Sequence, residues 1–344
     1  MKIRIWIAVL VCVLALSLVG CNSSATSSSD TVKLQGAGAS FPAPLYMKWF
    51  KQYSGDHKNV EVDYQSVGSG SGVKSVIDHT VDFGASDAAM KPEEMAQVQG
   101  GVQLFPMTAG SIVIAYNLKG INLMLSRKAY SDIFLGKVKR WNAPEIAASN
   151  PGVTLPDLPI NVVVRADASG TTFVFSKHLS TISVEFDKSV GANTMPNWPV
   201  GTKSKGNEGV TAAIMTTPGS IGYIEYGYAM SSKTPMATLE NKAGKYVAPT
   251  TASAQAALAS VELPDNLIAW ASDPPAADAY PIVTYTWMIF YKKYPDKRKQ
   301  QAIQDLVKYG LTAGQKDAES LGYVPLPATV VAKDTAALEK ITSN

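Results

Sequence analysis

The sequence predicts an α/β protein built as two lobes, from three observations. Strand-like runs alternate with helical ones along most of the chain. Glycine- and serine-rich turns join strand to helix at three places. The length of 344 residues, with 46% hydrophobic composition, is more than one core usually organises.

The first unit begins with Val32-Lys33-Leu34-Gln35, an alternating strand-like run. The turn Gly36-Ala37-Gly38-Ala39-Ser40-Phe41-Pro42-Ala43-Pro44 leads into a helix with Leu45, Trp49, Phe50 and Tyr53 on one face. Prolines are tolerated in a first helical turn, so Ser40 is the expected N-cap, its hydroxyl and neighbouring amides being open to a ligand instead. The second unit pairs the alternating strand Val60–Tyr64 with the turn Gly68-Ser69-Gly70-Ser71-Gly72. A helix with Val73, Val76 and Ile77 as its apolar stripe follows. A short strand, Val81 to Ser86, then ends in the acid Asp87, whose plainer reading is an N-cap before Met90-Lys91-Pro92-Glu93-Glu94.

Further on, Ser111 to Asn117 reads as a strand able to run between lobes, and Tyr280 to Tyr285 as the second crossing. Between them comes a helix carrying Ile133, Phe134 and Trp141. The buried strand Ile160–Val164 follows, with the turn Arg165-Ala166-Asp167-Ala168-Ser169-Gly170-Thr171-Thr172 and a helix starting near Phe173. Tyr223, Tyr226 and Tyr228 read as lobe core or a sheet face, and Lys242 to Gln255 as a surface loop. Lys297 to Ser320 reads as a helix with Ala302, Ile303, Leu306, Val307 and Leu311 inward, and a last helix spans Thr329 to Ile341. The expected lobes are residues 31–115 with 283–344, and residues 116–282.

The three turns point to an anion. Each exposes backbone N–H groups at the positive end of a helix dipole. Arg165 adds a planar fork of donors suited to an oxyanion, and Asp167 is placed to hold that fork. Asp87 supplies the opposite sign. An ionised carboxylate only accepts hydrogen bonds, so it suits an anion that carries a proton, such as hydrogen phosphate, and repels sulfate or molybdate. A surface adhesin or sensor that keeps such a site is a further reading. A phosphate-binding P-loop is excluded because Val73 intervenes between Gly72 and Lys74, and a serine-hydrolase elbow because residues 68–72 place glycine at the centre. The three histidines, His57, His79 and His178, lack metal-ligand spacing, so no metal and no cofactor is expected. No nucleophile with a base is evident, so the chain is not expected to be an enzyme.

Lys2 and Arg4 precede an apolar stretch, Ile5 to Val19, of signal-peptide length. It ends in Leu18-Val19-Gly20-Cys21, a lipobox, which makes residues 1–20 the expected signal peptide and Cys21 the expected lipidation site. Residues 21–30 form a Ser/Thr/Ala tether, and the acyl chains on Cys21 would be the membrane anchor. The other cysteine, Cys12, lies within the leader, so no disulfide is expected. Loss of Lys2 and Arg4 takes the formal charge from +3 to +1. No basic arm suggests nucleic acid.

Six runs carry a resemblance: GAGASFPAPLY at 36–46, DYQSVGSGSGVK at 63–74, TVDFGASDA at 80–88, DIFLGKVKRWN at 132–142, RADASGTTFVF at 165–175 and GSIGYIEYGYA at 219–229. On these runs the chain resembles the periplasmic phosphate-binding proteins of the bacterial ABC-type phosphate transporter, the Pst system. The resemblance implies a two-lobe periplasmic-binding-protein fold with one dehydrated phosphate in the interlobe cleft, ABC permease subunits as partners, and an extracytoplasmic location. It carries the phosphate contacts to Ser40, Phe41, Ser69, Asp87, Arg165, Ser169, Gly170 and Thr171, with Asp167 pairing the arginine. The family often has Thr where Ser40 stands, and Ser-Gly where this chain has Gly70-Ser71.

Overall fold

The computed structural model describes residues 31–343. The leader, Cys21 and the tether lie outside those residues. No helix among the described residues is long and apolar enough to cross a membrane.

The elements that position the site come in chain order. They are β1 (Val32–Gly38), α1 (Ala43–Asp56), β2 (Val60–Ser66), α2 (Ser69–Ile77), β3 (Phe83–Ser86), β4 (Val102–Tyr116), α3 (Arg127–Phe134) and β5 (Asn161–Arg165). After them come α4 (Gly170–Ile182), β6 (Thr202–Ser204), α5 (Gly206–Thr216), β7 (Ser220–Glu225), β8 (Val283–Tyr291), α6 (Lys297–Leu311) and α7 (Ala328–Ala337). Eight strands form one sheet in the order β2-β1-β3-β8-β4-β7-β5-β6.

The long strand β4 belongs to both halves of that sheet. Its residues Val102 to Ser111 pair antiparallel with β8, whereas Ile112 to Tyr116 pair antiparallel with β7. All fifteen of its residues are buried, as a strand with cover on both faces must be. On one side β1, β2 and β3 run parallel, and on the other β5 runs parallel to β6 and β7. Parallel strands place their carboxyl ends together, where open α/β sheets bind ligands. The β4–β8 register shifts between Thr286 and Trp287, where Pro106 faces Trp287. Proline cannot donate to a ladder and is confined to such irregularities within a sheet. This bulge stands beside Thr286, a residue of the site described below.

The core follows the apolar faces read from the sequence. Leu45, Trp49, Phe50 and Tyr53 of α1 are buried, as are Val73 and Val76 of α2, with Ile77 half-buried. Ile303, Leu306, Val307 and Leu311 pack inward from α6. Tyr223 is a core residue stacked on Phe175, ring centroids 4.4 Å apart.

Four expectations need correction. Ser40 does not cap α1. Pro42 occupies the N-cap position with no side-chain cap bond, and the Ser40 hydroxyl is engaged elsewhere. Trp141 is not helical: α3 ends at Phe134, and Gly136 at φ 73° turns the chain away. Trp141 is nonetheless fully buried, its indole N–H donating to the Gly219 carbonyl at 2.9 Å. Residues 242–255 are not simply a loop. They contain a two-residue strand, Tyr246–Val247, and the start of a helix, Thr251–Leu258, whose capping box is closed by Thr250 and Ser253. The helix expected over Lys297 to Ser320 ends at Leu311 and continues as 3-10 turns, Ala313–Asp317 and Glu319–Leu321.

Candidate anion-binding site

Each half of the sheet delivers polar residues to one place. Ser40 follows β1, Ser69 follows β2 and Asp87 follows β3; Arg165 ends β5. The first turns of α2, α4 and α5 begin at Ser69, Gly170 and Gly206. The strand ends are buried, so the turns must find polar partners, and they find them in one another.

Asp87 is 1% exposed. Its Oδ2 accepts from Thr171 Oγ1 at 3.0 Å and its Oδ1 from Thr286 Oγ1 at 3.2 Å. Ser69 Oγ accepts from the Asp87 N–H at 3.4 Å. Burial pushes the Asp87 carboxyl up to about 6, against the Thr171 hydroxyl, the Arg165 charge and the Thr286 hydroxyl, which stabilise its ionised form. At neutral pH it is therefore an ionised acceptor.

Arg165 is 3% exposed. Its Nε donates to Asp167 Oδ1 at 2.8 Å and its Nη2 to Asp167 Oδ2 at 2.5 Å. Asp167 also accepts from the Gly206 N–H at 3.1 Å. Burial pushes Asp167 up, but the Arg165 bond and charge and the Gly206 N–H outweigh it, so the carboxyl titrates below the usual range. Tyr223 holds the backbone behind the guanidinium: its hydroxyl accepts from the Arg165 N–H at 3.2 Å and bonds Thr172 Oγ1 at 2.7 Å. The remaining nitrogen, Nη1, is buried with no hydrogen-bond partner among the described residues. A buried, unpartnered cationic donor is costly, and an oxyanion is the ligand that satisfies it.

Ser169 caps α4, its Oγ accepting from the Thr172 N–H at 3.1 Å. Gly170 packs so closely that a Cβ there would lie 2.6 Å from the Ala88 N and 2.8 Å from the Asp87 N. This requires glycine and joins the α4 turn to the Asp87 turn. Phe41 is fully buried and its carbonyl accepts from Tyr323 at 2.7 Å. Seven of the eight residues inferred as anion contacts, with Asp167, meet in one cluster, and Phe41 adjoins it through the chain at Ser40. Ser71 does not join it. That residue is exposed and lines a cavity of 740 Å³ that borders the cluster at Asp167 and whose walls also include Asp63, Tyr64 and Lys205.

Sequence reasoning missed Thr286, Asn207 and Glu225. Asn207, the second residue of α5, donates from its backbone N and from Nδ2 to Ser40 Oγ at 3.0 and 2.9 Å. Glu225 is fully buried at the end of β7, and burial holds its carboxyl well above the carboxylate range. Its Oε1 accepts from the Gly227 N–H at 2.8 Å. The only local hint of Asn207 was the glycine before it, a turn signal at a strand-to-helix junction.

The chain is similar to known proteins over most of its length. A family model described as a PBP superfamily domain matches residues 24–312. The phosphate-binding protein PstS of Pasteurella multocida (strain Pm70) is 40% identical over 313 residues, covering 90% of each chain. The chain belongs to this family. PstS of Xylella fastidiosa (strain 9a5c) is 38% identical over 320 residues, covering 90% of this chain and 86% of that one. PstS of Methanocaldococcus jannaschii is 36% identical over 347 residues, covering 92% of this chain and 89% of that one. Among solved structures, a high-affinity periplasmic phosphate-binding protein, PfluDING, bound with phosphate, superposes with a TM-score of 0.73 at 21% identity. It covers 89% of this chain and 94% of its own. A phosphate-binding protein from Stenotrophomonas maltophilia gives 0.70 at 18% identity, covering 91% and 97%. At those identities the likeness speaks for the fold: the family's two-lobe α/β fold.

Proposed function

We propose that this protein binds inorganic phosphate, as hydrogen phosphate, between its two lobes outside the cytoplasm and delivers it to an ABC-type phosphate permease. The observation that carries the reading is Arg165 Nη1, a buried cationic donor without a partner among the described residues, beside Asp87, a buried acceptor. Relatives named phosphate-binding protein over nine-tenths of the chain support the same ligand.

The proposed contacts are Ser40, Phe41, Ser69 and Asp87 from residues 31–115 with 283–344, and Arg165, Ser169, Gly170 and Thr171 from residues 116–282. A ligand that touches both sets favours the closed arrangement, since only that arrangement makes all the contacts. Exclusion of water on closure strengthens each hydrogen bond. Arg165 neutralises charge, the hydroxyls and helix-end amides donate, and Asp87 accepts the proton of the anion. Sulfate, lacking that proton, would set two acceptors face to face. The role is capture and release rather than catalysis. Lipidation at Cys21 would tether the protein to the membrane.

Tryptophan fluorescence tests the reading directly. The Trp287 ring lies 5.2 Å from that of Trp270, which lies 5.3 Å from Phe173 of α4. Titrating anion-stripped protein, residues 22–344, with phosphate should give a saturable change at low micromolar concentration or below, with sulfate silent in large excess. Equal responses to both anions, or to neither, would overturn it.

A further inference from the structure

Asn207 is fully buried and uses every hydrogen-bonding group of its side chain. Its Oδ1 accepts from the Glu225 N–H at 2.9 Å. A backbone N–H only donates, so this bond settles which end of the amide is oxygen. Nδ2 must then face Ser40 Oγ at 2.9 Å and Thr171 Oγ1 at 3.3 Å. The Asn207 backbone N–H donates to the same Ser40 oxygen at 3.0 Å.

A serine hydroxyl has one proton and two acceptor lone pairs. Both lone pairs of Ser40 Oγ are therefore taken, and the group is left only able to donate. Thr171 is set in the same sense, accepting from Asn207 and donating to Asp87 Oδ2 at 3.0 Å. Tyr228 adds a third tie to the Ser40 turn, its hydroxyl donating to the Ser40 carbonyl at 2.7 Å.

We propose that Asn207 is a positioning residue: it fixes the Ser40 hydroxyl as a donor toward an acceptor-only oxyanion oxygen. The inference rests on the phosphate reading and adds to it the residue that orients one of its donors. A free hydroxyl can turn its lone pairs to an anion and must reorient to bind; one already oriented has no such cost. Asn207 also links the Ser40 turn to the α4 turn, so the donor's orientation is set as those two segments come together.

A double-mutant cycle tests this with phosphate as the probe, by calorimetric titration of the wild type, N207D, S40A and the double variant. Asn207→Asp keeps an acceptor for the Glu225 N–H but replaces the Nδ2 donor with an oxygen that takes the Ser40 proton. Its added charge acts in both backgrounds and cancels in the cycle. Phosphate affinity should fall roughly ten- to a hundredfold on N207D in the wild-type background, and by at least about tenfold less in the S40A background. S40T, which keeps the hydroxyl, should retain the full sensitivity. Equal fold-losses in both backgrounds would overturn the proposal. Thermal melts check folding. If N207D does not fold, N207A enters the same cycle with a smaller, several-fold loss expected, because the backbone donor to Ser40 remains, and that loss must also shrink in S40A. A wild-type protein that fails to bind phosphate overturns the phosphate reading itself and takes the role of Asn207 with it.

Discussion

Two carboxyl groups of the site, Asp167 and Asp87, stand in opposite environments. Asp167, in the turn after β5, is bonded by Arg165 through both oxygens and titrates below the usual range. Asp87, at the end of β3, has two threonine hydroxyls on its oxygens among the described residues and is pushed up to about 6. The paired acid is a strut that aims the guanidinium. The unpaired acid is costly to bury and has acceptor capacity left for a ligand. Environments that push two like groups apart in this way mark a division of roles.

Arg165→Ala should have the largest effect, because it makes Asp167 resemble Asp87. It leaves a buried carboxylate unpaired and removes the site's fork of donors. Phosphate affinity should drop by roughly two to three orders of magnitude, and stability by about 3 kcal/mol, measured by calorimetry and urea melts.

Next in size is a stability effect of opposite sign at Asp87. Between pH 3.8 and about 6 the native state binds more protons at Asp87 than the unfolded chain does, so this residue's contribution to stability falls as pH rises through that window. Above about 6 the wild type carries the full penalty and Asp87→Asn carries none. The ligand-free variant should therefore be more stable at pH 7 by up to about 3 kcal/mol, with the gain fading toward pH 4.

Asp167→Asn should go the other way, losing about 1–2 kcal/mol with roughly tenfold weaker phosphate binding, because the guanidinium loses a charged partner. Asp167 has a lowered value in the native state, so its contribution is present above pH 3.8 and lost as pH falls through that lowered value. Opposite signs for the two Asp→Asn changes in one set of urea melts would sharpen the comparison; equal signs would break it. The smallest effect is expected at Glu225. Burial pushes its carboxyl well above the carboxylate range, toward the neutral form that glutamine mimics, so Glu225→Gln should shift stability by less than about 1 kcal/mol.

The sequence carried the local part of this account. The strand–turn–helix units, the inward faces of α1 and α2, and the roles of Arg165 and Asp167 are all encoded within a few residues. Asp87 was legible as an acid where an anion is expected. What could not be read is long-range. Asn207 reaches Ser40 across 167 positions and Thr286 reaches Asp87 across 199, and neither stands in a glycine–serine turn. The misreading of Ser40 as a helix cap has the same origin: a local rule assigned its hydroxyl to α1, and the tertiary fold gave it to Asn207. Trp141 was placed on a helix by its spacing, yet Gly136 ends that helix and the indole is buried from a turn.

The central claim is that Asp87 chooses phosphate by accepting its proton. The most direct test is the ratio of phosphate to sulfate affinity, measured by competition at pH 8 for the wild type and Asp87→Asn. The ratio should be large in the wild type and fall by roughly two orders of magnitude in the variant, because the amide can donate to sulfate. A ratio that stays unchanged would contradict the account.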